Sequence, residues 1–284
     1  MNTTQNNLSL TERLTQFRSR HPIRHIRVGE MEWEYISCGS GSKTLLLLTG
    51  GMRIAEAAFV LIQALEEEYR VVAPSYPPVK TVAELTDGLA AILDAEKAPT
   101  ATIFGESYGG WIGQLLLRQH PKRFDKMVIA SSGPLTASNK EKKMLGPVIA
   151  LLRLLPENTI RGLLKRSFKS EIAFPEAEQS FWLDYAFELF DRLTKADFLS
   201  HFQLAQDAVR RKYDYAEGEK SAWDGELLSI GAADDPAVSE ADRARLLEIY
   251  PRAHVHVFKE GGHIAVLSQT AEFMETVKGF LSKD

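Results

Sequence analysis

A single cysteine, Cys38, stands in the 284 residues, so no internal disulfide framework exists. Charge of one sign is equally scarce. Lys+Arg 34 against Asp+Glu 38 leaves a net charge of -4 and a pI near 6.0, which argues against a nucleic-acid backbone as the main partner. Long apolar runs are missing. The stretches at residues 45–48 and 148–155 are too short to span a bilayer, and Arg153 interrupts the second. The opening MNTTQNNLSL lacks the basic region and apolar run of a secretory signal. No repeat that would make a solenoid or propeller is visible. No two histidines fall in an H-E-x-x-H or similar spacing, so a metal enzyme is not expected. With 44% hydrophobic and 25% charged residues the chain is not disordered. These absences leave the expectation of a soluble, cytoplasmic, globular protein.

What is present alternates two periods. Residues 23–28 and 31–38 read as strands paired around a turn at Gly29-Glu30. Residues 44–49 (TLLLLT) form a continuous apolar run before Gly50-Gly51, as expected of a strand buried on both faces. Helices are expected at 55–69, 82–95 and 109–119, with strands between them at 70–73, 101–104 and 126–130. Strands alternating with helices of this length imply right-handed crossovers and a mostly parallel sheet flanked by helices.

The rhythm changes between residues 135 and 220. Stretches 140–155, 158–168 and 175–212 read as helical, with breaks at Pro147, Pro156 and Pro175. Alternation then resumes with strands at 226–230 and 254–258 and helices at 239–250 and 271–281. The expected organisation is a sheet-based core from residues 1–134 and 221–284, with 135–220 as a helical lid inserted between the sixth and seventh strands.

Gly105-Glu106-Ser107-Tyr108-Gly109 is a G-x-S-x-G pentapeptide, followed by Gly110. Alone the string is a weak signal. Here the buried strand ATIF precedes it and an apolar-faced helix follows, the strand–turn–helix that a nucleophile elbow requires. The turn is tight enough to exclude bulky side chains at both flanking positions, and it lifts Ser107 to the N-terminus of the next helix. A serine hydroxyl needs a base to take its proton. Of the seven histidines, His263 stands out, because it follows Gly261-Gly262 in the loop between the last strand and last helix. His254 and His256 share one face of a strand and read as surface residues. His201 reads as an ordinary lid histidine with some chance of reaching substrate. The orienting acid belongs after the preceding strand, where LLSIGAADDP offers Asp234 and Asp235. Serine, acid, histidine is the chain order of the α/β-hydrolase fold.

With GESYGG as the elbow and GGHIAVLSQTAEF as the histidine region, the chain resembles the α/β-hydrolase superfamily over nearly its whole length. HPIRHIRVGEMEWEYISCGSG, YRVVAPSYP, FGESYGG and SEADRARLLEIYPRAHVHVFKEGGH are similar, more closely, to the maspardin-like group. In the family's common acid motif a glycine precedes the acid by three residues, so the resemblance selects Asp234 through Gly231, with Asp235 in reserve. It places one oxyanion donor at the Tyr108 amide and the second after the strand TLLLL. Most relatives carry His-Gly there, whereas this chain reads Thr49-Gly50-Gly51-Met52, and the donor is Met52 or Gly51 according to the alignment. Pro74-Ser75-Tyr76-Pro77-Pro78 replaces a longer loop of many relatives.

The resemblance implies a cofactor-independent serine hydrolase for a small or medium ester, thioester or lactone. Ser107 would be its nucleophile, His263 its base and Asp234 the orienting acid. Carbon–carbon cleavage or perhydrolysis would use the same residues, whereas dehalogenase and epoxide hydrolase chemistry normally uses an aspartate nucleophile. A different class is also implied: some maspardin-like proteins are binding or adaptor proteins on this fold. The lid aromatics suggest an apolar pocket, although most are expected to serve packing. The basic residues of the early lid, such as Lys140, Lys142 and Lys143, read as a solvated helix face.

Overall fold

Residues whose side chains alternate between two apolar faces build the centre of the molecule, which the computed structural model describes over residues 8–172 and 174–283. Strand β3 (Thr44–Leu48) is buried from Leu45 through Leu48. Leu45 and Leu47 join one apolar cluster, and Leu46 and Leu48 the other, as the two-residue strand period requires. Strands β4 (Arg70–Pro74), β5 (Ala101–Glu106), β6 (Phe124–Ala130) and β7 (Glu226–Ala232) are buried almost throughout. With β1 (Arg24–Val28), β2 (Met31–Cys38) and β8 (His254–Phe258) they form an eight-stranded sheet in the order β1-β2-β4-β3-β5-β6-β7-β8. The β1–β2 and β2–β4 pairs are antiparallel, and every pair from β4 to β8 is parallel.

Helices α1 (Leu10–Arg20), α2 (Phe59–Leu65), the short α10 (Ala265–Ser268) and α11 (Thr270–Leu281) contribute Phe17, Phe59, Val266 and Phe273 to the first cluster. Helices α3 (Val82–Ala95), α4 (Tyr108–Gln119) and α9 (Glu240–Ile249) fill the second. Gly88 in mid-α3 shows how close this packing is. A Cβ there would stand 2.0 Å from Cζ2 of Trp33, a side chain 1% exposed. Gly88→Ala gains helix propensity of about 1 kcal/mol, but the overpacking it forces costs about 1–3 kcal/mol. We expect a lower urea midpoint with an unchanged slope; an equal or higher midpoint would mean that the indole gives way.

Among the described residues, β6 and β7 are separated by α5 (Asn139–Leu154), α6 (Glu157–Glu171), α7 (Gln179–Arg192) and α8 (Lys195–Arg210). Several expectations need correction. Residues 55–58 form a 3-10 turn, and only Phe59–Leu65 is α-helical. Pro147 does not break α5, which continues through it while packing along α8, so the packing outweighs one lost backbone hydrogen bond. The single helix expected over 175–212 is divided at Leu193, because the Thr194 side chain accepts from the Asp197 amide and starts α8 afresh. Helix α1 was not anticipated, although Ser9 and Glu12 form a complete capping box in front of it. Among the described residues no helix is long and apolar enough to cross a membrane.

Candidate active site

Strand β5 ends at Glu106 and α4 begins at Tyr108, leaving Ser107 between them at φ 50 and ψ -117. A non-glycine residue in that region carries about 1–3 kcal/mol of backbone strain. The surroundings over-determine it. The Ser107 amide donates to the Ala130 carbonyl at 2.8 Å. Added Cβ atoms would meet the Gly109 carbonyl oxygen at 2.6 Å from Gly105 and the Leu48 carbonyl oxygen at 2.1 Å from Gly109. The elbow is therefore glycine on both sides because backbone from β3 and α4 occupies the space.

His263 lies in the 3-10 turn Gly262–Ile264 that follows β8. Its Nε2 is 2.9 Å from Ser107 Oγ, and its Nδ1 is 3.0 Å from both carboxylate oxygens of Asp235. With Nδ1 donating to the carboxylate, Nε2 is the nitrogen that accepts from the serine hydroxyl. The acid facing His263 is thus Asp235 and not Asp234. The turn after β7 explains the shift: the Asp235 amide donates to the Ala232 carbonyl at 3.3 Å, so Ala233 and Asp234 form the centre of the turn and Asp235 follows it. Asp235 then points inward with its side chain 1% exposed, and its Oδ1 also accepts from the Ala237 amide at 2.8 Å. Asp234 turns outward, and its Oδ1 accepts from the Gly262 amide at 2.8 Å. That amide bond holds the Asp234 carboxyl below its ordinary pKa. Asp234 thereby braces the loop that carries His263.

The segment after β3 closes on the same point. The Arg53 amide donates to the Gly50 carbonyl at 3.0 Å, making Gly51 and Met52 the central residues of a turn. A Cβ on Gly50 would lie 3.4 Å from the Ser107 Cβ, so no side chain separates this turn from the serine.

Ser107 and His263 open onto a cavity of about 860 Å³, within the range of small-molecule sites. The sheet side contributes Gly50, Gly51, Met52, Arg53 and Glu106. The segment between β6 and β7 contributes Leu152, Ile160, Leu164, Phe168 and Phe174, together with Trp182, Tyr185, Phe190, Phe198 and Phe202. More of the aromatics face the cavity than expected; Trp182, Tyr185, Phe190 and Phe198 both line it and join the apolar core. Phe181 and Phe187 only pack against the core. His201 also lines the wall, where burial and the charge of Arg53 push its pKa down to about 4. Glu106, not singled out from sequence, borders the cavity, and burial raises its pKa against the opposing influence of His263. His254 and His256 lie on β8 away from it, and His256 pairs with Glu272 at 3.2 Å.

Among the described residues one group could ligate a metal: His21, Cys38 and Glu66, whose ligand atoms all lie within 4.8 Å of one another. None of the three lines the cavity. His21 already pairs with Glu66 at 2.6 Å, and burial, reinforced by Glu66, pushes the Cys38 thiol up to about 12. The thiol is therefore no competitor for Ser107.

A model of the alpha/beta hydrolase family matches residues 45–276, spanning β3 through α11. The chain belongs to the alpha/beta hydrolase family. Within that family it is 23% identical over 264 residues to maspardin of Danio rerio, covering 90% of this chain and 81% of that protein. The enol-lactonase from Burkholderia xenovorans LB400 superposes with a TM-score of 0.75 at 18% identity, covering 92% of this chain and 100% of the other. An esterase from Rhodococcus sp. ECU1013 superposes at 0.73 with 18% identity, covering 92% and 98%. At these identities the solved structures establish the shared fold.

Proposed function

We propose that the protein is a serine hydrolase of a carboxylic ester, thioester or lactone, acting through an acyl-enzyme. The continuous Ser107–His263–Asp235 hydrogen-bonded array, at 2.9 and 3.0 Å, carries this reading. Ser107 Oγ attacks the carbonyl carbon while His263 Nε2 takes the hydroxyl proton, and Asp235 holds Nδ1–H and stabilises the imidazolium. The carbonyl oxygen becomes an oxyanion beside two backbone amides: Tyr108, at the positive N-terminus of α4, and Met52 or Gly51 in the turn after β3. As the tetrahedral intermediate collapses, His263 returns the proton to the departing alcohol, thiol or lactone oxygen. Water then attacks the acyl carbon with His263 as base, restoring Ser107 and releasing the acid. Residues 135–220 act as the cap that walls off the acyl site, and their apolar side chains favour an apolar acyl or alcohol portion.

The competing reading is a binding protein that keeps the fold without turnover. A fluorophosphonate probe separates the two. Under the hydrolase reading the wild type is labelled to one equivalent by intact-mass measurement, and Ser107→Ala is not labelled. A folded wild type that stays unlabelled sinks the hydrolase reading.

A further inference from the structure

The cavity wall beside the turn after β3 contains a buried cation that no carboxylate among the described residues neutralises. Arg53 is 2% exposed and lines the cavity that Ser107 and His263 share. Its Nη2 donates to the carbonyls of Tyr76 at 3.3 Å and Pro77 at 3.1 Å and to Ser200 Oγ at 3.1 Å. These acceptors are all neutral. Among the described residues Nε and Nη1 have no acceptor in good hydrogen-bond geometry, the neutral Tyr108 hydroxyl lies beside the guanidinium, and no carboxylate pairs with it. Glu106 and Asp197 line the same cavity, but neither pairs with Arg53, and Asp197 caps α8 at Thr194. The neighbours supply no negative charge either. His201 is held neutral near neutrality by its pKa of about 4, and burial lifts the Tyr108 hydroxyl to about 12.

A buried guanidinium without a counter-charge is costly, and such groups are normally paired. This one is also placed with care. Arg53 sits at φ 61, an uncommon conformation for a side-chain-bearing residue. Its backbone is tied on both sides, by its amide to the Gly50 carbonyl and by the Tyr76 amide to its own carbonyl. A further polar atom nearby, Thr49 Oγ1, is likewise buried without a partner among the described residues. Thr49 belongs to the segment that carries Gly51 and Met52, and Tyr108 follows the serine. Arg53 is the only lysine or arginine among the described residues lining the cavity.

Building on the hydrolase reading, we infer that the substrate bears a carboxylate in addition to the bond that is cleaved, and that Arg53 receives it. The remainder of the substrate is apolar, matching the leucine and aromatic lining. Arg53 is then the specificity-determining residue. It raises the affinity of the site for a monoester of a dicarboxylic acid above that for the equally long neutral ester.

The test compares mono-p-nitrophenyl adipate with p-nitrophenyl hexanoate. The wild type is expected to favour the anionic ester in kcat/KM by about 10- to 100-fold, the scale of a hydrogen-bonded charged group. In Arg53→Met that ratio is expected to collapse to about one or invert, mainly through KM. Arg53→Lys, which keeps the charge, retains part of it. Taking a ratio within each variant removes any general loss of active protein. A second arm needs no turnover. In Ser107→Ala, calorimetry with adipate monomethyl ester should give binding about tenfold tighter than methyl hexanoate, with the difference lost when Arg53→Met is added. A wild type that prefers the neutral ester, or a Ser107→Ala protein that binds the neutral ligand equally well, overturns the assignment. If neither ester is turned over and the fluorophosphonate leaves the folded wild type unlabelled, the hydrolase reading fails, and calorimetry alone decides the role of Arg53.

Discussion

Ser107→Ala is expected to lower kcat for an ester substrate by about 10⁶-fold, the loss typical when the nucleophile of such an array is removed. The expectation rests on geometry and not only on the presence of a serine. Ser107 Oγ meets His263 Nε2 at 2.9 Å. Alanine retains the Cβ and the neighbouring amide bond to Ala130, so the elbow keeps its shape while losing the atom that forms the acyl bond. Circular dichroism and urea unfolding should therefore match the wild type while turnover disappears. Residual activity within tenfold of wild type would show that another group performs the attack.

Asp235→Asn is expected to reduce kcat by about 10⁴-fold, because the amide can donate to Nδ1 and select the tautomer whose Nε2 already bears a proton. That tautomer cannot take the proton of Ser107. Asp234→Asn is expected to cost no more than roughly tenfold, since the amide oxygen can still accept from Gly262 and the bond is exposed. Steady-state kinetics of both variants on one ester decides the matter. Equal losses would contradict the division of labour between an acid on the imidazole and an acid on its loop.

These neighbouring aspartates mark the boundary of what one sequence discloses. The elbow was legible because its reasons are local: glycine must flank Ser107 wherever a strand turns this sharply into a helix. Which aspartate faces inward depends on where the turn after β7 begins, and the Asp235 amide closes that turn on the Ala232 carbonyl. The family spacing from Gly231 points to Asp234, whereas a turn centred on Ala233 and Asp234 delivers Asp235 to the imidazole. The sheet, its inserted helices and the position of His263 follow from periodicity and order. Arg53 carried no signal at all, because its isolation from carboxylates is a property of the folded surroundings. The aromatics of the inserted helices were visible as a group, but helical spacing does not say which ring faces a cavity and which a neighbouring helix. Glu106 escaped notice for a similar reason: within the pentapeptide it occupies a position with no residue requirement of its own.

The insertion between β6 and β7 also bears on the order in which the molecule assembles. Lys126 pairs with Glu226 across the sheet, so Ser107 leaves the ribosome well before the strands that deliver Asp235 and His263. Domains generally acquire structure from the N-terminus during synthesis, and distant strand pairings form slowly because the chain between them must first be confined. The contacts of α5 with α8 and of α6 with α7 let the intervening helices gather into a small unit that shortens the effective loop. Under the hydrolase reading, the nascent serine lacks its base until β7 and β8 dock, and the chain becomes chemically competent only when its C-terminal strands complete the sheet.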